Sequence, residues 1–511
     1  MRQPRATRER TAAWRYAGRG MLVSCAALLT AAGSAYADAS GPYEDTAAPP
    51  NSRVVPFVAQ RDAKPATRDS LFADDAPATD KAQTASGWGG FIQGEAARAY
   101  RDPDHWSKLR MRADITRQGQ FSENVKWRIG GRLDYDYAYD QLDFYAPDVR
   151  RDQRYEFTFR ENYLDISTGG NWELRLGRQQ VVWGEMVGLF IADVVSARDQ
   201  REFILPEPEL QMLRIPQWAV RAEYFGKDMK AELLWVPAPS FDEIGKPGVP
   251  GVKGVAGADF FPYPIPGPGG SQFLGEDRPD RKLSNTNYGA RLSTLQGGWD
   301  LSAFYYHSLD ITPTFYRQVL AAPTPGLLVQ PGPAPGAPVF LYQARHDKIN
   351  QVGATVSKDL GETVLKAEAV YTDGRQFNVT RITQPNGLVE QDTWDYALGL
   401  DFNLPRDARL NLQFFQRIYM NHDPDTLQKK YESGLSVLLD AVKLANNVEA
   451  RLLLVHSLNR SDYLVRPKVT WTFEKNWRLA VGADIFGGPP TGLFGRYDNN
   501  DRLYTELRYT F

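Results

Sequence analysis

The strictest constraint in the chain is an alternation of period two. Between Val125 and Tyr137, the residues Val125, Trp127, Ile129, Leu133, Tyr135 and Tyr137 share one parity, while Lys126, Arg128, Arg132, Asp134 and Asp136 share the other. Successive strand side chains point to opposite faces, so this ribbon has one apolar and one ionic wall. A helix would scatter the same residues around its circumference. The pattern recurs at Leu109–Thr116, Trp218–Tyr224, Trp394–Phe402, Trp477–Ile485 and Leu503–Phe511. Read from Trp88 to the end of the chain, such segments give about eighteen strands.

The connections carry a second signal, because they are alternately short and long. Thr168–Asn171, Gly226–Asp228, Gln296–Gly298 and Glu474–Asn476 are tight and polar, whereas long stretches follow Trp235 and Leu309. Gly245–Gly270 is rich in proline and glycine and reads as an irregular exposed loop, as does Pro313–Pro338. Short turns on one side and long loops on the other are how outer-membrane barrels are built.

A water-soluble β-sandwich also alternates, with its apolar faces packed inward. Two features favour a membrane barrel instead. The polar faces carry both signs of charge close together, as a hydrated lumen permits. Aromatics also stand near strand ends (Trp88, Tyr137, Trp172, Trp235, Trp299, Trp394, Trp477, Tyr509), where interfacial girdles belong. In hydrocarbon an open sheet edge is untenable, so the last strand is expected to pair with the first, near Gly87–Arg101. A barrel of this size is too wide for side chains to fill and encloses water unless something plugs it. The expected fold class is therefore an all-β transmembrane antiparallel barrel with long extracellular loops.

The N-terminus sets the compartment. Arg2, Arg5, Arg8, Arg10, Arg15 and Arg19 precede a short apolar run, Met21–Ala32, and Ala35-Tyr36-Ala37 supplies a small-x-small cleavage pattern. The reading is a signal peptide at 1–37, a flexible periplasmic arm at 38–86 rich in Asp, Ala, Pro and Thr, and a barrel at 87–511 in the outer membrane of a Gram-negative bacterium. The apolar run is too short to span a bilayer as a helix. Lys and Arg total 60 against 62 Asp and Glu, and removing the signal leaves the remainder more acidic, which argues against a nucleic-acid partner. The single cysteine, Cys25, lies in the signal, so neither a disulfide nor a thiolate metal site is expected in the mature chain.

Leu174-Arg175-Leu176-Gly177-Arg178-Gln179, followed by Val182-Trp183-Gly184-Glu185, resembles a proteobacterial outer-membrane barrel family of unknown function. Asp193-Val194-Val195, Arg198-Asp199 and the upstream Arg160-Glu161-Asn162-Tyr163-Leu164-Asp165 continue the likeness, and alginate-export-type porins contain a similar LGRQ strand. The resemblance implies an outer-membrane channel, in some relatives beside exporters of envelope lipid or hydrophobic molecules. The terminal Leu507, Tyr509 and Phe511 resemble the signal by which barrel-assembly machinery recognises its clients.

Residues 181–216 are unusual for a surface loop. Val181–Val195 is largely apolar around Glu185 and Asp193, and Pro206, Pro208 and Pro216 follow. The expectation is that this segment enters the barrel and narrows it, with Arg175, Arg178, Glu185, Asp193, Arg198 and Asp199 at the constriction. The alternative is an extracellular loop packed on its neighbours. Arg128, Arg132, Asp134, Asp136, Arg221 and Glu223 are expected on the lumen wall. Basic and acidic lumen residues (Arg110, Lys126, Lys230, Lys366, Lys468 against Asp114, Glu173, Glu232, Glu368, Asp484) nearly balance, which speaks against polyanion export.

Of the five histidines, His307-Ser308 and His456-Ser457 are adjacent and would point to opposite strand faces, so a hydrolase site is disfavoured. No spacing suggests zinc and no cofactor is expected. The Asp-rich stretches 134–143 and 498–501 are candidate calcium turns. The leading expectation is a non-enzymatic channel for passage or export of small or amphipathic molecules. Its expected surroundings are outer-membrane lipid and lipopolysaccharide. The alternatives are a docking barrel whose arm binds a periplasmic component of a lipid or polysaccharide exporter, and an outer-membrane enzyme.

Overall fold

The computed structural model describes residues 87–201, 203, 210–249, 252–320 and 337–511. The signal and arm expected at 1–86 lie outside the described residues. Six strands open the barrel: β1 (Trp88–Ala99), β2 (His105–Ser122), β3 (Val125–Asp136), β4 (Tyr155–Phe159, resumed at Asn162–Ser167), β5 (Trp172–Gln179) and β6 (Gln217–Phe225). Six more follow: β7 (Met229–Ala238), β8 (Asn287–Gln296), β9 (Trp299–Leu309), β10 (Lys348–Asp359), β11 (Thr363–Asp373) and β12 (Thr393–Asn403). The last six are β13 (Arg409–Tyr419), β14 (Tyr431–Ala445), β15 (Val448–Ser457), β16 (Tyr463–Glu474), β17 (Trp477–Gly487) and β18 (Arg502–Thr510).

Each strand pairs antiparallel with the next, and β18 returns to β1 in the register Phe91↔Thr510 to Ala99↔Arg502. The chain is thus a closed barrel of 18 strands. Leu507 and Tyr509 stand opposite Gly94 and Ile92, and Phe511 exchanges backbone hydrogen bonds with Gly90 at 3.0 and 3.1 Å. The expected terminal signal residues therefore form the closing seam.

The period-two reading holds in the wall. Ile92, Met111, Ile115, Ile129, Leu133, Leu233, Leu292, Leu398, Val481 and Leu507 stand exposed on the outer face. Trp88, Trp172, Trp235, Trp299, Trp394 and Trp477 are exposed near strand ends, as a lipid-facing belt with interfacial girdles requires. The opposite parity faces the lumen, where charges pair between neighbouring strands. Arg112 donates to Asp134 at 2.5 Å, Arg132 to Asp114 at 2.9 Å, and Arg466 and Arg502 to Asp484 at 2.5 and 2.8 Å. Pairing across adjacent strands satisfies charges that would otherwise be costly to desolvate.

Turns at 123–124, 168–171, 226–228, 297–298, 360–362, 404–408, 446–447 and 475–476 occupy one end, together with both barrel termini. The longest loops, 180–216, 239–286 and 310–347, occupy the other. They hold more structure than composition suggests. Tyr137 begins helix α1 (Tyr137–Gln141) instead of ending the strand, because Asp136 caps it by accepting from Ala138 N at 2.9 Å. Helix α2 (Pro147–Gln153) follows. Thr314–Leu320, Val339–Arg345 and Ser271–Phe273 form a three-stranded sheet, and 321–336 lie outside the described residues. Phe260, from the proline-rich loop, packs with Phe203 against inward-facing Leu453, Leu464 and Phe486 of β15–β17.

Candidate functional site

Between β5 and β6, the described residues 180–201 and 210–216 contact the inner wall of the barrel. The first part of this segment docks on an apolar patch of that wall. Val181, Trp183, Ala192, Val194 and Val195 pack against Ala219, Leu234, Val236, Phe304, Tyr306 and Val370, from β6, β7, β9 and β11. Trp183 is fully buried, its ring centroid 5.1 Å from that of Phe304, and its indole N–H donates to Glu232 at 2.9 Å. At roughly 1.5–3 kcal/mol per fully buried large apolar side chain, this patch outweighs any single polar contact in holding the segment.

Polar pegs then fix the segment across the lumen. The Glu368 carboxylate on β11 accepts three backbone N–H groups from one bend of the segment: Glu185, Met186 at 2.8 Å and Ala192 at 2.9 Å. Glu185 accepts from Thr355 on β10 at 2.9 Å and lies 3.9 Å from Arg291 on β8. Gln413 on β13 donates to Val187 O at 2.7 Å. On the returning arm, Arg132 donates to Met212 O at 2.8 Å and Arg160 to Arg214 O at 2.9 Å. Irregular backbone at membrane depth is tolerated only where protein or lumen satisfies it, and here wall side chains do so.

The two motif glycines have geometric reasons. Gly177 has φ +131°, and a Cβ there would sit 2.3 Å from Asn162 O. Gly184 passes so close to the bend that a Cβ would meet Asp193 N at 3.0 Å and the Glu368 carboxylate at 3.3 Å. A side chain at Gly184 would push the bend off its peg.

The residues expected at the constriction and on the lumen wall fall into distinct groups. Glu185 spans segment and wall. Asp193 accepts from Arg214 at 2.8 Å, and Asp242 accepts from Arg198 N at 2.8 Å, while the Arg198 guanidinium stacks 4.5 Å over Phe190. Asp199 accepts from Arg201 at 2.8 Å. These braces shape the segment and its neighbouring loop. On the wall, Arg128 pairs with Glu161 at 3.4 Å, Arg175 with Asp165 at 2.6 Å, and Arg221 with both Glu223 and Glu232 at 2.9 Å. Arg132 and Asp134 pair as described above, and Asp136 serves as a helix cap.

Arg178 departs from expectation. Its register partners are Asn162 and Trp218, which put it on the outward row of Leu174 and Leu176, off the lumen. The strand alternation itself explains this, since Arg175 and Arg178 differ in parity.

Around the inserted segment the lumen keeps a cavity of 380 Å³ toward the long loops. Phe190, Ile191 and Val194 of the segment line it with Ile311 and Phe315 of a loop and with Asp395 and Arg417 of the wall. Arg417 pairs with Asp395 at 2.5 Å, and Arg375 with Asp310 at 2.9 Å. A separate space of 220 Å³ near the short-turn end is lined by Arg451, Lys468, Arg478, Glu506 and Arg508.

The Asp-rich stretches are occupied by other work. Asp140 accepts from Tyr135 at 2.8 Å, Asp143 from Arg150 at 2.8 Å, and Asp501 from Arg101 and from Phe486 N at 2.9 and 2.7 Å. Among the described residues no cluster of three or more metal-ligating side chains occurs. His105 contacts Asp259 at 3.2 Å, His346 contacts Glu276 at 2.8 Å, and His307 contacts Asn350 at 2.8 Å.

Sequence reading placed Glu368 on the lumen wall without its role as a peg, and missed Gln413, Thr355 and the apolar dock. A signal for the dock exists. In Leu233-Leu234-Trp235-Val236 and Phe304-Tyr305-Tyr306 both parities are apolar, which a water-filled lumen does not need.

Comparison with known proteins gives one family. The model of DUF1302, described as a protein of unknown function, matches residues 19–511. No curated protein matches the chain. Similar solved structures include OccAB1 of Acinetobacter baumannii (TM-score 0.47, 9% identity, covering 83% of this chain and 95% of that one). OmpF of Salmonella typhi, in complex with daunomycin, has TM-score 0.38 at 9% identity, covering 83% and 97%. OmpT, an outer membrane protein of Vibrio cholerae, has TM-score 0.38 at 9% identity, covering 83% and 96%.

Proposed function

From the premise that the chain belongs to the DUF1302 family, we propose that it is a non-enzymatic outer-membrane channel whose conductance is set by residues 181–216. The observation that carries this reading is the inserted segment itself. A closed barrel of this width would enclose a wide aqueous lumen. Here one loop crosses it and is pegged to β7, β8, β10, β11 and β13 by Glu232, Arg291, Thr355, Glu368 and Gln413. The lumen charges are largely paired with one another, so the path favours small or amphipathic solutes over a polyanion. Passage is passive, driven by the solute gradient.

Purified full-length protein in planar bilayers tests this. Discrete conductance steps, with liposome swelling by small sugars and amino acids but not by oligouronates, are the expected result. A silent bilayer from folded barrel would refute the channel.

A further inference from the structure

Among the described residues, the outer half of β4 pairs with β3 on one edge and with no strand on the other. Its ladder with β3 includes Asp136 N to Arg154 O at 2.8 Å and Arg160 N to Gly130 O at 3.0 Å. Even-numbered residues therefore turn their backbone groups to β3, while Tyr155, Phe157 and Phe159 turn theirs the other way. β5 does not reach them. Its pairing with β4 runs from Ser167↔Glu173 to Asn162↔Arg178, and the last link is Gln180 N to Glu161 at 3.5 Å. Among the described residues, nothing pairs with the free edge of Tyr155–Phe159.

This edge lies at the height of the lipid-facing belt. Phe157 is opposite Leu133 and Tyr155 opposite Tyr135, and all four side chains are exposed on the outer face. Phe159, next along, is 57% exposed. Unpaired backbone N–H and C=O groups are not tolerated in hydrocarbon, so something polar must reach them. On the lumen side stands the returning arm of the inserted segment. Side chains hold it to the wall, Arg160 to Arg214 O and Arg132 to Met212 O, with Arg201 paired to Glu156 beside them, while its backbone pairs with Ala197–Arg198 of the same segment. Basic residues crowd the notch: Arg128, Arg132 and Arg160 line the wall, and Arg178 stands at the outer lip, its Nε without a hydrogen-bond partner among the described residues.

We infer that the notch between the outer half of β4 and the ends of β5 and β6 is a lateral portal. Through it, an amphipathic molecule with an anionic head group passes between the lumen and the long-loop leaflet of the bilayer. The arginines and free backbone amides take the head, Phe157 and Phe159 guide the apolar tail, and Met212–Ile215 form the inner door. This inference rests on the channel reading and adds a route to it.

The test uses the full chain in proteoliposomes containing dodecyl phosphate with a diazirine in its chain. After irradiation, labelled peptides are identified by mass spectrometry, and bilayer conductance is recorded on the same preparation. Labelling both at 155–159 and at 212–215 is expected, with Arg178→Glu lowering the inner labelling at least fivefold. Labelling confined to the outer face, with conductance intact, overturns the portal and leaves the channel standing. Inner labelling without conductance supports the portal and removes the channel. The edge has its own check through proline, which cannot donate to a ladder. Phe157→Pro should insert and keep its heat-modifiable mobility, whereas Thr158→Pro, in the paired row, should not. Failure of Phe157→Pro to fold while other lipid-facing substitutions fold would show that the edge is engaged, and would overturn the inference.

Discussion

The wall and the segment it encloses are held together in different ways. In the wall, outside the outer half of β4, each strand has two neighbours, and ladder hydrogen bonds, cross-strand ion pairs and the apolar belt repeat around the barrel. The inserted segment has little ladder of its own, a two-residue pairing of Ala197–Arg198 with Arg214–Ile215. It depends on an apolar dock and on individual pegs such as Glu368, Trp183 and Gln413. A repeating pattern tolerates local loss, because each neighbour carries the same information. A pegged segment concentrates its specification in a few residues, so single substitutions should free it and leave the barrel intact.

The sharpest contrast should come from a charge on the belt. Leu398 is exposed mid-strand in β12. Leu398→Arg is expected to lower barrel stability by about 2–4 kcal/mol, the cost of a cation in the hydrocarbon region. Urea unfolding in lipid vesicles measures it, and no loss would mean that this face does not meet lipid.

Glu368→Ala should do the reverse. Orphaning the three backbone donors costs about 1–3 kcal/mol for each one that water does not reach. The barrel should still resist denaturation by detergent in the cold while its conductance rises at least twofold and becomes noisy. A barrel that fails to fold would show that the peg supports the wall.

Acid should act on the loops before the wall. Glu276 is partly buried, which opposes its ionisation, but hydrogen bonds from His346 and Arg278 outweigh that and bring it from an ordinary 4.5 down to about 2. A carboxylate depressed in the folded state contributes stability above its unfolded pKa and loses it as pH falls through the folded one. The brace is therefore intact at pH 5 and is lost between pH 4.5 and 2. Protease clipping of 239–286 and 310–347 should increase across that window, with the strands still protected.

At the small end, Asp407→Ala removes an exposed pair with Lys443 at a short turn. Such pairs contribute little in water, so the urea midpoint should not move.

The wall was legible because strand side chains alternate strictly, so parity alone placed Leu133 outside and Asp134 inside. The closing seam followed from the intolerance of hydrocarbon for open edges. The apolar content of Val181–Val195 was a signal for its dock on the inner wall, where Glu185 meets Thr355. Its partners were not legible, since Glu368 and Gln413 sit far along the chain and look like any lumen residue. Arg178 was misplaced for a physical reason: a motif was read as a unit, although adjacent strand residues face opposite ways. The interruption of β4 at Arg160-Glu161 leaves no local pattern, whereas the Asp136 cap is a local contact with Ala138 N that the alternation running on to Tyr137 masked.

The central claim is that residues 181–216 narrow the barrel from within. It is tested most directly by single-channel recording of the chain lacking Gly188–Pro206, beside the full chain, in the same bilayer and salt. A severalfold larger and steadier conductance from a barrel of unchanged heat-modifiability is the predicted result. Equal conductance from the two proteins would contradict the account.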